Sequence, residues 1–321
     1  MATIKVTDQL PTNSADAMRE FDDRYLAVYG IAQPPGWADD IGDLIETASP
    51  DVTFPIGLLS TKYQEFSGEN RAKTLQEKDI RVKVAEYDAG YEARLIDLTT
   101  NVFAYQKWQQ IPARFLAAEQ RHRNAQVAAM LEAGTVGNSA IDGVPFFNAS
   151  HPANPAEGTD VFSNYQASTK DVVSLVNIEA EATIMMGVLD ENGQKLGIQP
   201  DTILVPTGKF LALTNLLKQD IVASTAGTAT VRNPFLGVFN VVHVPELTDV
   251  NDWYLVDSKA LSQGLTPWGM LRYQPAASLG LRHWDEDSDF FKNTGKIKVS
   301  SHIWYGFALL FPHAIRLVKG A

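Results

Sequence analysis

The chain has 321 residues, 45% of them hydrophobic and 20% charged, and no cysteine. A core of useful size can form and global disorder is excluded, as are disulfides, thiolate metal sites and cysteine nucleophiles. The net charge is −11 at a pI near 5.0, which sets the surface as a whole against nucleic acid.

Charge is unevenly placed along the chain. Residues 1–58 carry ten acids against three bases, whereas residues 62–83 carry six bases (Lys62, Arg71, Lys73, Lys78, Arg81, Lys83) against four acids. The two stretches either attract each other between subunits or are simply two solvated surfaces. The start, Met-Ala-Thr-Ile-Lys-Val-Thr-Asp, lacks the pattern of a signal peptide, and no apolar run is long enough to cross a bilayer,. A soluble chain made in the cytoplasm is expected.

Residues 1–13 read as an extended arm. Ser14 is a plausible cap for a helix carrying Met18, Phe21, Tyr25 and Val28 at helical spacing, which Gly30 ends,. Gln33-Pro34-Pro35-Gly36 breaks the chain, and Trp37 to Ile45 can form a further short turn or helix,. Ile80, Val82 and Val84 alternate with Arg81 and Lys83 as in a strand with one wet face, and Asp88-Ala89-Gly90 is a turn signal after which Tyr91 to Leu98 can return,. With a second turn at Ser67-Gly68-Glu69-Asn70, the region reads as a long hairpin system with few large apolar residues. Such a ribbon needs another surface to lean on.

From Thr99 to Ala133 the composition is helical, with Thr99 or Thr100 as cap and Gly134 as stop. Pro112 either kinks one long helix or sits in the first turn of a second. Unbroken, the helix would be a strut of about 50 Å. Residues 134–167 form a connector holding Val144-Pro145-Phe146-Phe147. A helix from Ser168 to Leu189, a short buried strand from Thr202 to Val205, and a helix capped by Thr207 with Phe210, Leu213, Leu216 and Leu217 follow. Residues 223–233 read as a polar loop, Val238 to Val244 and Trp253 to Val256 as strands, and Ile297 to Val318 as β-rich. The class is mixed α+β, without an internal repeat.

Chemistry is scarce. There is no G-x-S-x-G, phosphate-binding G-x-x-x-x-G-K, dinucleotide fingerprint or H-E-x-x-H,. The six histidines (His122, His151, His243, His283, His302, His313) are scattered, with no helical ligand spacing. Asp285, Asp287 and Asp289 match the start of a calcium loop, but Phe290 stands where Gly is needed and Lys296 where the bidentate Glu belongs, so a solvated acidic turn is the better reading,. His151 in Asn-Ala-Ser-His-Pro is read as a loop histidine before a catalytic base, and Phe146-Phe147 as an anchor for the connector before a ligand pocket. Trp304-Tyr305-Gly306-Phe307 reads as a core or interface strand before a base-stacking platform. Asn148-Ala149-Ser150 matches a glycosylation sequon without a secretion signal to give it meaning. No catalytic, cofactor-binding or metal residue is assigned.

The order of the pieces carries more than any motif. Ser67-Gly68-Glu69-Asn70-Arg71, Asp142-Gly143-Val144-Pro145-Phe146-Phe147 with His151-Pro152, Gln199-Pro200-Asp201-Thr202-Ile203-Leu204-Val205-Pro206, Asn233-Pro234-Phe235 with Val241-Val242-His243-Val244-Pro245, and Asp252-Trp253-Tyr254-Leu255 follow in that sequence. The chain resembles tailed-phage major capsid proteins of the Hong Kong 97-type fold, and within them the Mu-like major head subunit family.

The resemblance covers roughly 15–318 and is loosest after Lys259. It implies an N-terminal arm over 1–45 and an extended loop (the E-loop) over 58–98. It further implies a peripheral domain with spine helix and connector over 99–194, an axial domain over 195–275, and return strands of the peripheral domain over 276–321. It implies self-assembly as pentamers and hexamers into an icosahedral shell around phage double-stranded DNA, which the subunit meets only by non-specific proximity. Scaffolding protein, portal and a decoration protein are the further partners; no cofactor and no membrane are. Synthesis would be in the host cytoplasm and the final place the virion. Lys73 or Lys78 could serve a Lys–Asn cross-link of the kind some such capsids form, but no motif supports it and non-covalent contacts are expected. An encapsulin-like compartment shell and a soluble hydrolase with a site of scattered residues are the alternatives.

Overall fold

A computed structural model of the chain describes residues 10–29, 36–56, 78–137, 142–152, 161–189, 193–223, 230–260, 265–273 and 280–320. Residues 1–9, the Ser67–Arg71 turn, Lys73 and most of the polar loop (224–229) lie outside the described residues.

Helix α1 (Ser14–Tyr29) buries Met18, Phe21, Tyr25 and Val28, as their spacing predicts. Asn13 caps it rather than Ser14: the Asn13 side-chain oxygen accepts the N–H of Asp16 at 2.8 Å,. Next come α2 (Trp37–Ile41) and β1 (Asp43–Thr47). Only glycine fits between them, because a Cβ on Gly42 would collide with the Trp268 indole, whose N–H donates to the Ala38 carbonyl at 3.1 Å. β2 (Asp51–Ile56) and β3 (Lys78–Lys83) pair antiparallel, with Asp51 opposite Lys83. β4 (Ala85–Arg94) then runs straight through Asp88-Ala89-Gly90, where a turn was expected. An antiparallel ladder with residues 296–305 holds the whole strand extended, and those hydrogen bonds outweigh a three-residue turn preference.

The expected strut is three helices: α3 (Leu95–Thr100), α4 (Val102–Gln109) and α5 (Ile111–Ala133). Asn101 makes the first break; its backbone is extended and its side chain accepts the N–H groups of Phe103 and Ala104 to cap α4. Pro112 lies in the first turn of α5, where its missing N–H costs nothing. The longest unbroken helix has 23 residues, about 34 Å rather than 50 Å.

The connector contributes β5 (His151–Pro152), β6 (Val161–Phe162) and β7 (Tyr165–Gln166). α6 (Leu175–Met186) starts behind Ser174 and not at Ser168. The Asp171 carboxylate accepts the N–H of Val173 at 3.1 Å and keeps that stretch in a turn,. β8 (Thr202–Val205), α7 (Thr207–Lys218), β9 (Ile221–Ala223), β10 (Thr230–Arg232), β11 (Asn240–His243) and β12 (Trp253–Val256) follow. Pro206, not Thr207, occupies the cap of α7, and the Thr207 hydroxyl lies 2.9 Å from Nε2 of His243. The last elements are β13 (Trp268–Tyr273), β14 (Leu281–Trp284), α8 (Asp289–Thr294), β15 (Lys296–Leu309) and β16 (Ile315–Val318).

Among the described residues, two five-stranded sheets result. The first has the order β1-β13-β15-β14, with β4 along the other edge of β15; the second has the order β11-β8-β12-β16-β7. The last strands therefore divide: β14 and β15 join the first sheet and β16 pairs with β12 in the second. α5 lies across β15, α6 on β16 and α7 on β11. One buried cluster holds Trp37 and Ile41 of the α2 region, Val127 and Leu131 of α5, Phe146 and Phe147, Trp268 and Met270 of the first sheet, and Leu204, Tyr254 and Leu317 of the second. The two sheets thus share a core.

Candidate functional site

The β2–β3 stem leans on its own subunit. Val82 is buried with Leu271, Ala308 and Leu310, and Val52, Phe54, Ile80 and Val84 pack around them. Gly306 of β15 permits this contact: a Cβ there would stand 2.9 Å from the Val82 side chain and 3.1 Å from the Lys83 carbonyl. Glycine therefore interrupts the aromatic run Trp304-Tyr305-Gly306-Phe307, which the structure places on the core strand β15. On the wet face, the Arg81 guanidinium grips both oxygens of Asp51, and this pairing holds the Asp51 carboxyl below its ordinary range.

A buried ionic node ties the helices to the first sheet. Arg123 of α5 donates to both carboxylate oxygens of Asp39 at 2.8 Å and to the Tyr305 hydroxyl at 3.2 Å. Tyr305 donates to Glu119 at 2.5 Å, and Arg272 stands 3.3 Å from the same carboxylate. Burial pushes the Glu119 carboxyl up, with the Tyr305 hydrogen bond and Arg123 opposing it. Burial works to lower the Arg123 pKa, but the Asp39 bond together with the charges of Asp39, Tyr305 and Glu119 more than offsets it, so the guanidinium stays charged. A second node lies under α6, where Arg316 donates to Glu181 at 2.6 Å and to the Ser163 carbonyl at 2.6 Å, and Lys170 pairs with the other Glu181 oxygen. A nucleophile with a base beside it occurs in neither node.

The connector is stapled by His151. Its Nδ1 lies 2.6 Å from the Asp142 carboxylate, and its Nε2 lies 3.0 Å from the Phe146 carbonyl and 3.1 Å from the Asn164 side-chain oxygen. The ring stacks on Phe162, which stacks in turn on His313 at 4.1 Å. His151 is fully buried, so it is a structural histidine without access for a substrate. This stack through Phe162 to His313 was invisible in the sequence, since only the fold brings the rings together. Phe146 and Phe147 are buried in the shared core and anchor the connector there. Asn148 and Ser150 close a tight turn, the Asn148 side chain accepting the Ser150 N–H at 3.1 Å.

The acidic run Asp285–Asp289 forms the turn into α8. Ser288 caps that helix by accepting the Phe291 N–H at 3.2 Å, and the Asp289 side chain is 98% exposed. His243, His283 and His302 sit apart from one another, against Thr207, Asp22 and Glu86, while the His122 ring lies tilted against Tyr87. Among the described residues no three His, Asp or Glu side chains gather to hold a metal, and no helix is long and apolar enough to cross a membrane.

Residues 79–319 match the model of a family described as phage capsid protein. The chain belongs to that family. This capsid protein is a structural subunit of the virion shell and not an enzyme, and its family does not favour the encapsulin-like or the hydrolase reading. No curated protein matches it. Among solved structures, it is similar to the procapsid of bacteriophage JBD30, at 12% identity and a TM-score of 0.53 over 96% of this chain and 75% of that one. It is similar also to the JBD30 capsid decorated with minor capsid protein trimers, at 17% identity and a TM-score of 0.50 over 68% of this chain and 93% of that one. The capsid of an empty GTA particle matches at 14% identity and a TM-score of 0.52, over 91% and 92%. Likeness at such low identity concerns the fold: the capsid protein has the α+β architecture of Hong Kong 97-type capsid subunits.

Proposed function

We propose that this capsid protein is the major head subunit of a tailed phage of the Mu-like kind. It assembles as pentamers and hexamers that close into an icosahedral shell around double-stranded DNA, which it meets only by non-specific proximity. The observation that carries the reading is the two-stranded β2–β3 stem. It is clamped by one face to its own core, as an assembly loop must be if it is to bear load between subunits.

The arm occupies 1–45, the peripheral part 99–194 and the axial part 195–275. Pairing of β4 with β15 argues for narrowing the E-loop from 58–98 to the segment between β2 and β3. Pairing of β16 with β12 argues for counting that strand of the 276–321 stretch with the axial sheet. A scaffolding protein and a portal are further partners. The JBD30 neighbours, one a procapsid and one decorated with minor capsid protein trimers, support maturation from a precursor and a decoration protein. Synthesis is in the bacterial host cytoplasm, and the shell is held without a covalent cross-link.

Electron microscopy of the purified chain tests this. Round closed particles or hexamer sheets are expected; a monomer at every protein concentration and salt would sink it.

A further inference from the structure

The outer face of the α4–α5 column carries positive charge that the described residues do not neutralise. Phe103, Lys107, Arg114, Ala117, Arg121 and Ala125 are all exposed, and their spacing by three, four or seven residues puts them on one helical face,. The face continues across the α4–α5 junction, because Gln110 keeps helical backbone angles. Lys107, Arg114 and Arg121 form no ion pair among the described residues; the Arg121 side chain donates only to the carbonyl of Ala117, one turn back on its own helix, at 3.1 Å. The two acids of this column point elsewhere, Glu119 into the buried node and Glu132 to Thr248. Phe103 is 75% exposed at one end of the face.

The matching charge stands in the turn into α8. Asp285, Glu286, Asp287 and Asp289 are exposed. Their turn adjoins the acidic helix α1, since Glu286 accepts the Ser14 N–H at 3.3 Å and His283 lies 3.0 Å from Asp22. Lys292 is the nearest base, at 3.9 Å from Asp289.

We propose that the basic α4–α5 face of one copy docks on the acidic α1–α8 corner of a neighbouring copy in the shell. The proposal rests on the shell reading and specifies one of its contacts. Charge complementarity selects the occupant. A neighbouring copy offers a compact acidic patch, whereas nucleic acid must approach against the chain's overall charge of −11,. Ala117 between the arginines and Ala125 beyond them let a neighbour come close, and Phe103 supplies an apolar anchor at the edge,.

A charge-swap series in the full chain tests it, read by light scattering and electron microscopy, with circular dichroism confirming the fold. The pair Arg114→Glu/Arg121→Glu and the pair Asp287→Lys/Asp289→Lys are each expected to lower particle yield about tenfold or more. The chain carrying all four is expected to recover most of it, because the attraction is restored with its sign reversed. The neutral pair Arg114→Gln/Arg121→Gln, which perturbs folding least, is expected to flatten the salt dependence of assembly. Wild-type yield from either reversed pair, no recovery in the fourfold variant, or an unchanged salt dependence would each overturn the contact. So would normal particles from the arginine pair that lose only their DNA, which would assign the face to nucleic acid. Absence of particles from the wild-type chain would instead sink the shell reading itself.

Discussion

His313 is buried, and among the described residues neither ring nitrogen has a hydrogen-bond partner. Burial, reinforced by neighbouring His151 and opposed by Asp142, pushes its pKa down to about 3 from an ordinary 6.5. The unfolded chain takes up this proton near pH 6.5, while the folded chain resists it until far lower pH. The neutral ring's contribution to stability is therefore complete above pH 6.5 and is lost as pH falls toward 3. Between pH 7 and pH 5 the loss is about 2 kcal/mol. His313→Phe keeps the stack on Phe162 and removes the titration. Urea melts at the two pH values are expected to show a smaller gap for the variant than for the wild type, and an equal gap would assign the acid sensitivity to other groups. At the second buried node, Arg316→Met leaves Glu181 with only the half-buried Lys170. A loss of about 3 kcal/mol is expected in the same melts.

The β2–β3 pair turns on Gly306. Gly306→Leu forces side-chain atoms into Val82 and the Lys83 carbonyl, and about 2 kcal/mol of destabilisation is expected from overpacking, visible as a lowered melting temperature. Deleting residues 68–77 leaves both strands of the stem in the chain, so the subunit is expected to stay folded and soluble but fail to close shells. Melting of the whole subunit on that deletion would place the loop in the core instead.

Elements whose signal is local were legible from sequence: the apolar stripe of α1, the buried runs of β8 and β12, and the C-terminal strands. Elements decided by distant partners were not. The Asp88-Ala89-Gly90 turn loses to a ladder with residues 296–305, and nothing near residue 88 announces that partner. The break at Asn101 was written in the sequence as an Asx cap, flanked by the weak helix formers Thr99, Thr100 and Val102,. The acidic turn at 285–289 was readable, yet its adjacency to α1 depends on packing that no spacing rule gives.

The two sheets of the molecule are not separable modules. Leu131 of α5 is fully buried in the cluster that also contains Trp268 and Met270 of the first sheet and Leu204, Tyr254 and Leu317 of the second. β16 follows β15 through a 3-10 turn at Pro312–Ala314, so one continuous C-terminal segment belongs to both. Covalent chain and shared core thus couple β15 to the second sheet. Leu131→Ala removes apolar atoms from the middle of that core, and about 3 kcal/mol of destabilisation is expected. Because the cluster spans both sheets, amide exchange in β12 and in β15 should accelerate by the same factor. If β15 alone loosened while β12 kept wild-type protection, the sheets would be opening independently and the shared core would not couple them.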